Sequence, residues 1–293
     1  MNNKINFIFF GSSPISVISL DVLKSKGFLP VLIVTQADKP QGRHLTLTPS
    51  PVKVWAQDNN ILFSTPEKIR TEEFLNELKK YNAEVAVLVS YGKIIPQTIL
   101  DLFPKGILNL HPSLLPKLRG PSPIESTILN DMKDEVGVTV MLLDKEMDHG
   151  PILAQKNVVV NSWVPTKTEL HDTLAVEGGT LLSDILAKWL ADEIIAKEQD
   201  HSNATYCEII KKVDGLIDLN DDGYKNLLKV RAYGGWPGTY FFIKHDDKDM
   251  RIKITDAGFV NGKFEIKKVI PEGKKEMGYN DFLRGYGNLI SNI

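Results

Sequence analysis

Cysteine is almost missing from this 293-residue chain. The single thiol, Cys207, cannot form an intramolecular disulfide and leaves no thiolate cluster for a structural metal, which fits a reducing compartment and points to the cytoplasm. No apolar run approaches the roughly 18 residues that a membrane helix needs. The run Ile5 to Phe10 is too short for one and lacks a small-residue cleavage site, so it reads as a buried strand and not as a signal. Neither sign of charge dominates: 35 Lys and Arg stand against 37 Asp and Glu, for a net charge of −2. Any attraction to a polyanion must therefore come from a local basic surface. Residues 201–293 carry 15 basic against 13 acidic side chains, a weak asymmetry that permits such a face. His44, His171, His201 and His245 are scattered without ligand spacing, so no metal site is expected.

Two motifs are missing as well. There is no GxGxxG fingerprint, which argues against a nucleotide-dependent oxidoreductase. There is no GxSxG elbow and no suitably placed cysteine, so an acyl-enzyme route lacks its usual nucleophile. Ser113, two residues from His111, keeps a hydrolase formally open.

What is present is an ordinary globular balance, 42% hydrophobic and 25% charged, in a chain long enough for about two domains. The first 160 residues alternate apolar runs (Ile5 to Phe10, Pro30 to Thr35, Ile61 to Ser64, Glu84 to Ser90, Gly106 to Leu110, Gly137 to Leu143) with stretches of helical period at 15–26, 52–59, 71–81, 96–102 and 123–131. That pattern predicts an α/β fold with a doubly wound, mostly parallel sheet. A last strand at 152–160 leads to a long helix from Lys167 to about Asp192, after which Glu198 to Ala204 is polar. The expected division is a catalytic domain at 1–195, a linker at 196–205 and a smaller domain at 206–293. Short alternating runs at Thr239 to Ile243, Met250 to Thr255 and Phe264 to Ile270 make the latter a small β-barrel, OB-like.

Ligands of open parallel sheets bind beyond the carboxyl ends of the strands, so the residues after each run carry the chemistry. Gly11-Ser12-Ser13-Pro14 is a strand-to-helix turn with free N–H groups and an N-cap serine. In Gly106-Ile107-Leu108-Asn109-Leu110-His111, strand alternation turns Asn109 and His111 to the same side at the sheet edge. The loop Asp144-Lys145-Glu146-Met147-Asp148-His149-Gly150 presents carboxylates. Asn donates to a developing oxyanion, His exchanges a proton near neutral pH and a carboxylate orients the imidazole. Those parts suit attack by an amine on an acyl carbon.

Asn109-Leu110-His111-Pro112-Ser113-Leu114-Leu115-Pro116, with Arg119-Gly120 and Asp148-x-Gly150, resembles the signature of the 10-formyltetrahydrofolate-dependent formyltransferases. Gln36-Ala37-Asp38-Lys39-Pro40-Gln41-Gly42-Arg43 and Pro49-Ser50-Pro51-Val52-Lys53 resemble the branch whose acceptor is methionine esterified to initiator tRNA, as do Ser90 to Pro96 and Arg231-Ala232-Tyr233-x-x-Trp236-Pro237-Gly238. The resemblance implies Asn109, His111 and Asp148 as the catalytic trio. It implies a folate pocket lined by Ser113, Leu114, Leu115, Pro116 and the Tyr91-Gly92 loop, and a tRNA-gripping loop at 36–49 with Arg43 on the acceptor stem.

Reduced folate and initiator Met-tRNA are then the partners of a cytoplasmic monomer that uses 10-formyltetrahydrofolate as co-substrate. The sequence departs from the family at His44-Leu45-Thr46-Leu47-Thr48, where further lysines are usual, and at the first turn and Tyr233-Gly234-Gly235-Trp236. The second domain also looks short for the family, and its end, Pro271 to Lys275 followed by Asp281 to Tyr286, is either a basic arm or a solvated terminal helix. Alternatives are an amino-sugar nucleotide or glycinamide ribonucleotide as acceptor, and a non-catalytic RNA-binding protein on the same fold. Pro49 to Lys53 and the appended domain speak against the first, the intact Asn109, His111 and Asp148 against the second.

Overall fold

A computed structural model describes residues 5–41, 45–245 and 248–286. Backbone proximity divides the chain into two compact units, one of residues 1–120, 136–158 and 171–206 and one of residues 121–135, 159–170 and 207–293. The passage at Tyr206 and Cys207 follows directly on the expected linker, and the stretches 121–135 and 159–170 group with the C-terminal residues.

The first unit is built on β1 (Phe7–Gly11), α1 (Pro14–Ser25), β2 (Leu32–Val34), a hairpin of β3 (Lys39–Gln41) and β4 (Thr46–Thr48), α2 (Pro51–Asp58), β5 (Phe63–Ser64), α3 (Glu72–Lys79), β6 (Val85–Val89), α4 (Gln97–Leu100) and β7 (Ile107–His111). The helices start where the sequence supplies caps. Ser50 accepts from Lys53 N at 3.0 Å with Pro51 in the first turn, and Thr71 accepts from Phe74 N ahead of Glu72 and Glu73.

After α5 (Pro123–Leu129) come β8 (Gly137–Leu142), β9 (Ile152–Asn157) and the long α6 (Lys167–Leu190). The sheet runs in the order β5-β2-β1-β6-β7-β8-β9. The first five strands are parallel, and β8 and β9 add to β7 antiparallel. β1 and β7 are buried along their whole length, as central strands covered on both faces should be, whereas β9 is largely exposed at its far end. A Cβ at Gly178 of α6 would lie 2.6 Å from Leu110 Cδ1, so glycine there lets the helix close on β7.

Because β2, β1, β6 and β7 lie side by side and parallel, their carboxyl ends bring Ser12, Thr35, Ser90 and His111 to one edge. Ser12 Oγ accepts from Gln36 N at 3.1 Å, Thr35 Oγ1 and Ser50 Oγ are 2.7 Å apart, and Gln36 Nε2 donates to Tyr91 O at 2.7 Å. The turns after these strands are thus tied to one another.

The second unit holds α5, then α7 (Gly223–Ala232), β10 (Thr239–His245), β11 (Lys248–Val260), β12 (Lys263–Pro271), β13 (Met277–Gly278) and α8 (Tyr279–Tyr286). Its four strands form an antiparallel sheet in sequence order. β10 alternates as a one-sided strand does: Thr239, Phe241 and Ile243 are buried, with Phe242 and Lys244 exposed between them. Phe241 and Ile243 join Ile217, Ile252, Ile254, Ala257, Val269 and Phe282 in one core. At the chain's described end, residues 279–286 form the helix α8, which is not merely solvated as one expectation had it, because its Phe282 is buried.

Candidate active site

β7 delivers both polar side chains of its carboxyl end into cover: Asn109 is 6% and His111 4% exposed. Their shared side follows from the two-residue strand repeat. Asp148 comes from the β8–β9 connection, and its Oδ1 lies 3.6 Å from His111 Nδ1. That is too long for a good hydrogen bond but turns the carboxylate toward the ring. The other ring nitrogen, Nε2, lies 3.0 Å from Leu118 O, so both imidazole nitrogens face oxygens.

Asp148 is held in place by backbone. Gly120 N donates to its Oδ2 at 2.8 Å. Its own φ is +50°, a left-handed conformation uncommon for a residue with a Cβ. Two residues on, Gly150 permits the turn: a Cβ there would sit 2.1 Å from Leu142 O. The Asp148-x-Gly150 spacing is therefore a requirement of the turn.

The loop from Pro112 to Gly120 is braced from below. Thr139 Oγ1 donates to Ser113 O at 2.7 Å and accepts from Leu115 N at 3.1 Å, while Gln155 Nε2 donates to Leu115 O at 2.7 Å. Ser113 Oγ donates its one proton to Lys117 O at 2.6 Å, which takes it away from the role of a nucleophile paired with His111. Leu115 is buried, 3% exposed. Of the expected folate-lining residues, Ser113 to Pro116 thus lie in one ordered turn directly after His111.

Within the Tyr91–Gly92 loop, the Tyr91 side chain is turned away from the sheet's carboxyl edge into the core. Its ring is fully buried in the core with Ile8, Phe10, Ala86, Ile95 and Ile99, and burial pushes its phenol well above the usual range. The Tyr91–Gly92 loop offers backbone to the sheet edge instead. Beside it, desolvation and the Lys39 charge lower the Lys93 ammonium, whose Nζ donates to Pro66 O and Glu67 O. Arg43 lies outside the described residues. The base of its hairpin is described: Lys53 Nζ pairs with Asp38 at 2.8 Å, and Lys39 Nζ donates to Gln36 Oε1.

Beside these lies a cluster in which Gln199 was not singled out from the sequence, Arg119 appeared only as part of the signature and His201 only as a scattered histidine. Arg119 is 2% exposed, and its guanidinium donates to Gln199 Oε1 and, from Nη2, to His201 Nδ1 at 2.8 Å. Because arginine only donates, His201 Nδ1 is the acceptor and its ring proton sits on Nε2. His201 stacks on His149, with centroids 4.0 Å apart and planes 2° from parallel. Both Gln199 and His201 lie in a stretch whose polarity alone suggested a solvated connection.

An Asn and a His on one strand end, with a carboxylate turned toward the His, can stabilise a developing oxyanion and move a proton, the parts that acyl transfer to an amine uses. The family described as formyl transferase matches residues 3–186. A methionyl-tRNA formyltransferase of Thermodesulfovibrio yellowstonii is 36% identical over 299 aligned positions, covering 95% of each chain. The solved methionyl-tRNA formyltransferase of Clostridium thermocellum superposes with a TM-score of 0.61 at 17% identity, over 91% of this chain and 98% of that one. An N-formyltransferase of Helicobacter canadensis, solved with folinic acid and dTDP-3-aminofucose, gives a TM-score of 0.60 at 16% identity, over 89% of this chain and 95% of that one. The chain belongs to the methionyl-tRNA formyltransferase family of formyltransferases.

Proposed function

We propose that the enzyme moves the formyl group of 10-formyltetrahydrofolate to the free amino group of methionyl-initiator tRNA, as a cytoplasmic monomer. The observation that carries the reading is the approach of Asp148 to His111 at the carboxyl end of β7, two residues along the same side of the strand from buried Asn109, in a chain 36% identical to a named methionyl-tRNA formyltransferase across 95% of its length.

The folate supplies an activated formyl carbon. For its pocket we assign the turn Ser113 to Pro116 and the backbone of Tyr91 and Gly92, which lie after adjacent strands of the sheet. Asn109 donates its side-chain amide to the formyl oxygen as that oxygen takes on negative charge. The amine nitrogen bonds to the formyl carbon and the bond from that carbon to N10 breaks. His111, oriented by Asp148, takes the proton that leaves the amine and returns one to N10. The low exposure of both β7 side chains makes the electrostatic contacts they form stronger than they would be in water. The β3–β4 hairpin with Arg43, and residues 207–293, are the surfaces assigned to tRNA.

Formyl transfer from 10-formyltetrahydrofolate to three acceptors, initiator Met-tRNA, elongator Met-tRNA and an amino-sugar nucleotide, tests this assignment. Transfer to the initiator tRNA alone is expected. Transfer to the sugar alone would keep the chemistry and reassign the acceptor, and transfer to none would return the chain to a binding role.

A further inference from the structure

Gln199 is 5% exposed, and all four hydrogen-bonding positions of its amide are engaged. Oε1 accepts from Arg119 Nε at 3.1 Å and from Arg119 Nη2 at 2.6 Å. Nε2 donates to Asp148 O at 2.9 Å and to Gly150 O at 2.8 Å. The two ends of one amide therefore reach two different parts of the site. One is the loop whose Leu118 carbonyl touches His111 and whose Gly120 N–H holds Asp148 Oδ2. The other is the turn that carries Asp148 itself.

That turn needs holding. Asp148 sits at φ +50°, a conformation that persists only where the surroundings enforce it. Gln199 is itself anchored, because Ile152 and Lys197 exchange both backbone hydrogen bonds at 2.7 and 2.9 Å, and further on Arg119 N donates to Thr205 O at 2.9 Å. A side chain on a fastened segment sets the position of what it binds.

We propose that Gln199 is a positioning residue for formyl transfer, fixing the Asp148–Gly150 turn so that the carboxylate faces His111. The proposal rests on the catalytic reading of Asp148 given above. The amide is specifically required, because a carboxylate of the same shape accepts from Arg119 but donates nothing to the two carbonyls.

The test measures kcat, both KM values and the melting temperature of the full chain with initiator Met-tRNA and 10-formyltetrahydrofolate, for Gln199→Glu, Gln199→Leu, Asp148→Asn and the double variant Gln199→Glu/Asp148→Asn. Gln199→Glu should lower kcat about 10- to 100-fold, the size of a misplaced catalytic group. Both KM values should stay within about twofold, while the melting temperature falls, because the buried carboxylate offers no proton to the Asp148 and Gly150 carbonyls; kcat against KM is therefore the readout that separates positioning from stability. Gln199→Leu should lose comparable turnover and also melt earlier. The double variant should be no slower than Asp148→Asn alone, because residues acting through one another are not additive. Wild-type turnover in Gln199→Glu, or a double variant slowed by the product of the two single effects, overturns the proposal. Full activity in Asp148→Asn would remove the catalytic reading beneath it, a result separable from both.

Discussion

Lys53 Nζ lies 2.8 Å from Asp38 Oδ1 and 2.9 Å from Asp38 Oδ2, joining the first turn of α2 to the base of the β3–β4 hairpin. The Pro49 to Lys53 stretch thus has a mechanical meaning: Ser50 caps the helix and touches Thr35, and Lys53 reaches back to the chain that leads into the hairpin. Lys53→Met keeps the aliphatic stem near Phe63 and removes the charge. With both partners partly exposed, the pair is worth at most about 1 kcal/mol. The expected result is a KM for the tRNA acceptor raised about three- to fivefold at unchanged kcat, with Asp38→Asn behaving alike. A fall in kcat with the acceptor KM untouched would move the ion pair out of the hairpin's role and into the chemistry.

His111 is covered, flanked by Asp148 and by the Leu118 carbonyl, and sits at the end of a fully buried strand. Removing its ring leaves the β7 ladder intact, because the strand's pairing with β8 is made by backbone. His111→Ala should therefore lower turnover by about two or more orders of magnitude with folding nearly preserved. Loss of folate binding at unchanged turnover, read by titration beside single-turnover transfer, would contradict a role in proton transfer.

The central architecture was legible because it obeys simple periodicities. Five short apolar runs separated by helical stretches mark out β1, β2, β5, β6 and β7, and strand alternation alone put Asn109 and His111 on one side. The antiparallel addition of β8 and β9 was not visible, since pairing direction depends on the path of the connection and not on the pattern within a strand. The β3–β4 hairpin read as loop, being two three-residue strands, and Thr46 and Leu47 of β4 are exposed. Helix α7 was hidden behind Asp221-Asp222-Gly223, which reads as a turn, although Asp222 Oδ1 accepts from Tyr224 N and Lys225 N and so starts the helix. Gln199 was hidden for a related reason: one buried amide in a polar run has no period, and only its partners reveal it.

The start of α6 carries a reciprocal cap. Thr166 N and Oγ1 donate to Glu169 Oε2, and Glu169 N donates to Thr166 Oγ1. The hydrogen bonds from Thr166 hold the Glu169 carboxyl below its usual range, with a smaller contribution from the charge of Arg231. A depressed carboxylate stabilises the fold above its unfolded pKa and loses that contribution as pH falls through its folded pKa. Glu169→Gln should accordingly cost about 0.3 to 1 kcal/mol near pH 7 and progressively less as the solution is acidified below the ordinary glutamate range. Denaturant melts at several pH values would show it, and a constant difference across that range would mean that the carboxylate's charge is not what matters.

Tyr91 provides a sharper separation between stability and binding. Its hydroxyl is buried without a hydrogen-bond partner among the described residues, while its carbonyl accepts from Gln36. An unmet buried hydroxyl costs free energy that its removal restores, so Tyr91→Phe should raise stability by about 1 kcal/mol. The ring's edge-on packing against Phe10, with centroids 5.6 Å apart, survives the change. If the loop serves the folate through its backbone, the KM for 10-formyltetrahydrofolate stays within about twofold of wild type, since every backbone group is retained. A clear rise in that KM would mean that the hydroxyl reaches a partner when folate is bound, and the assignment of this loop would pass from its backbone to the Tyr91 side chain, whereas a loss of stability would mean that the hydroxyl already has a partner in the folded chain.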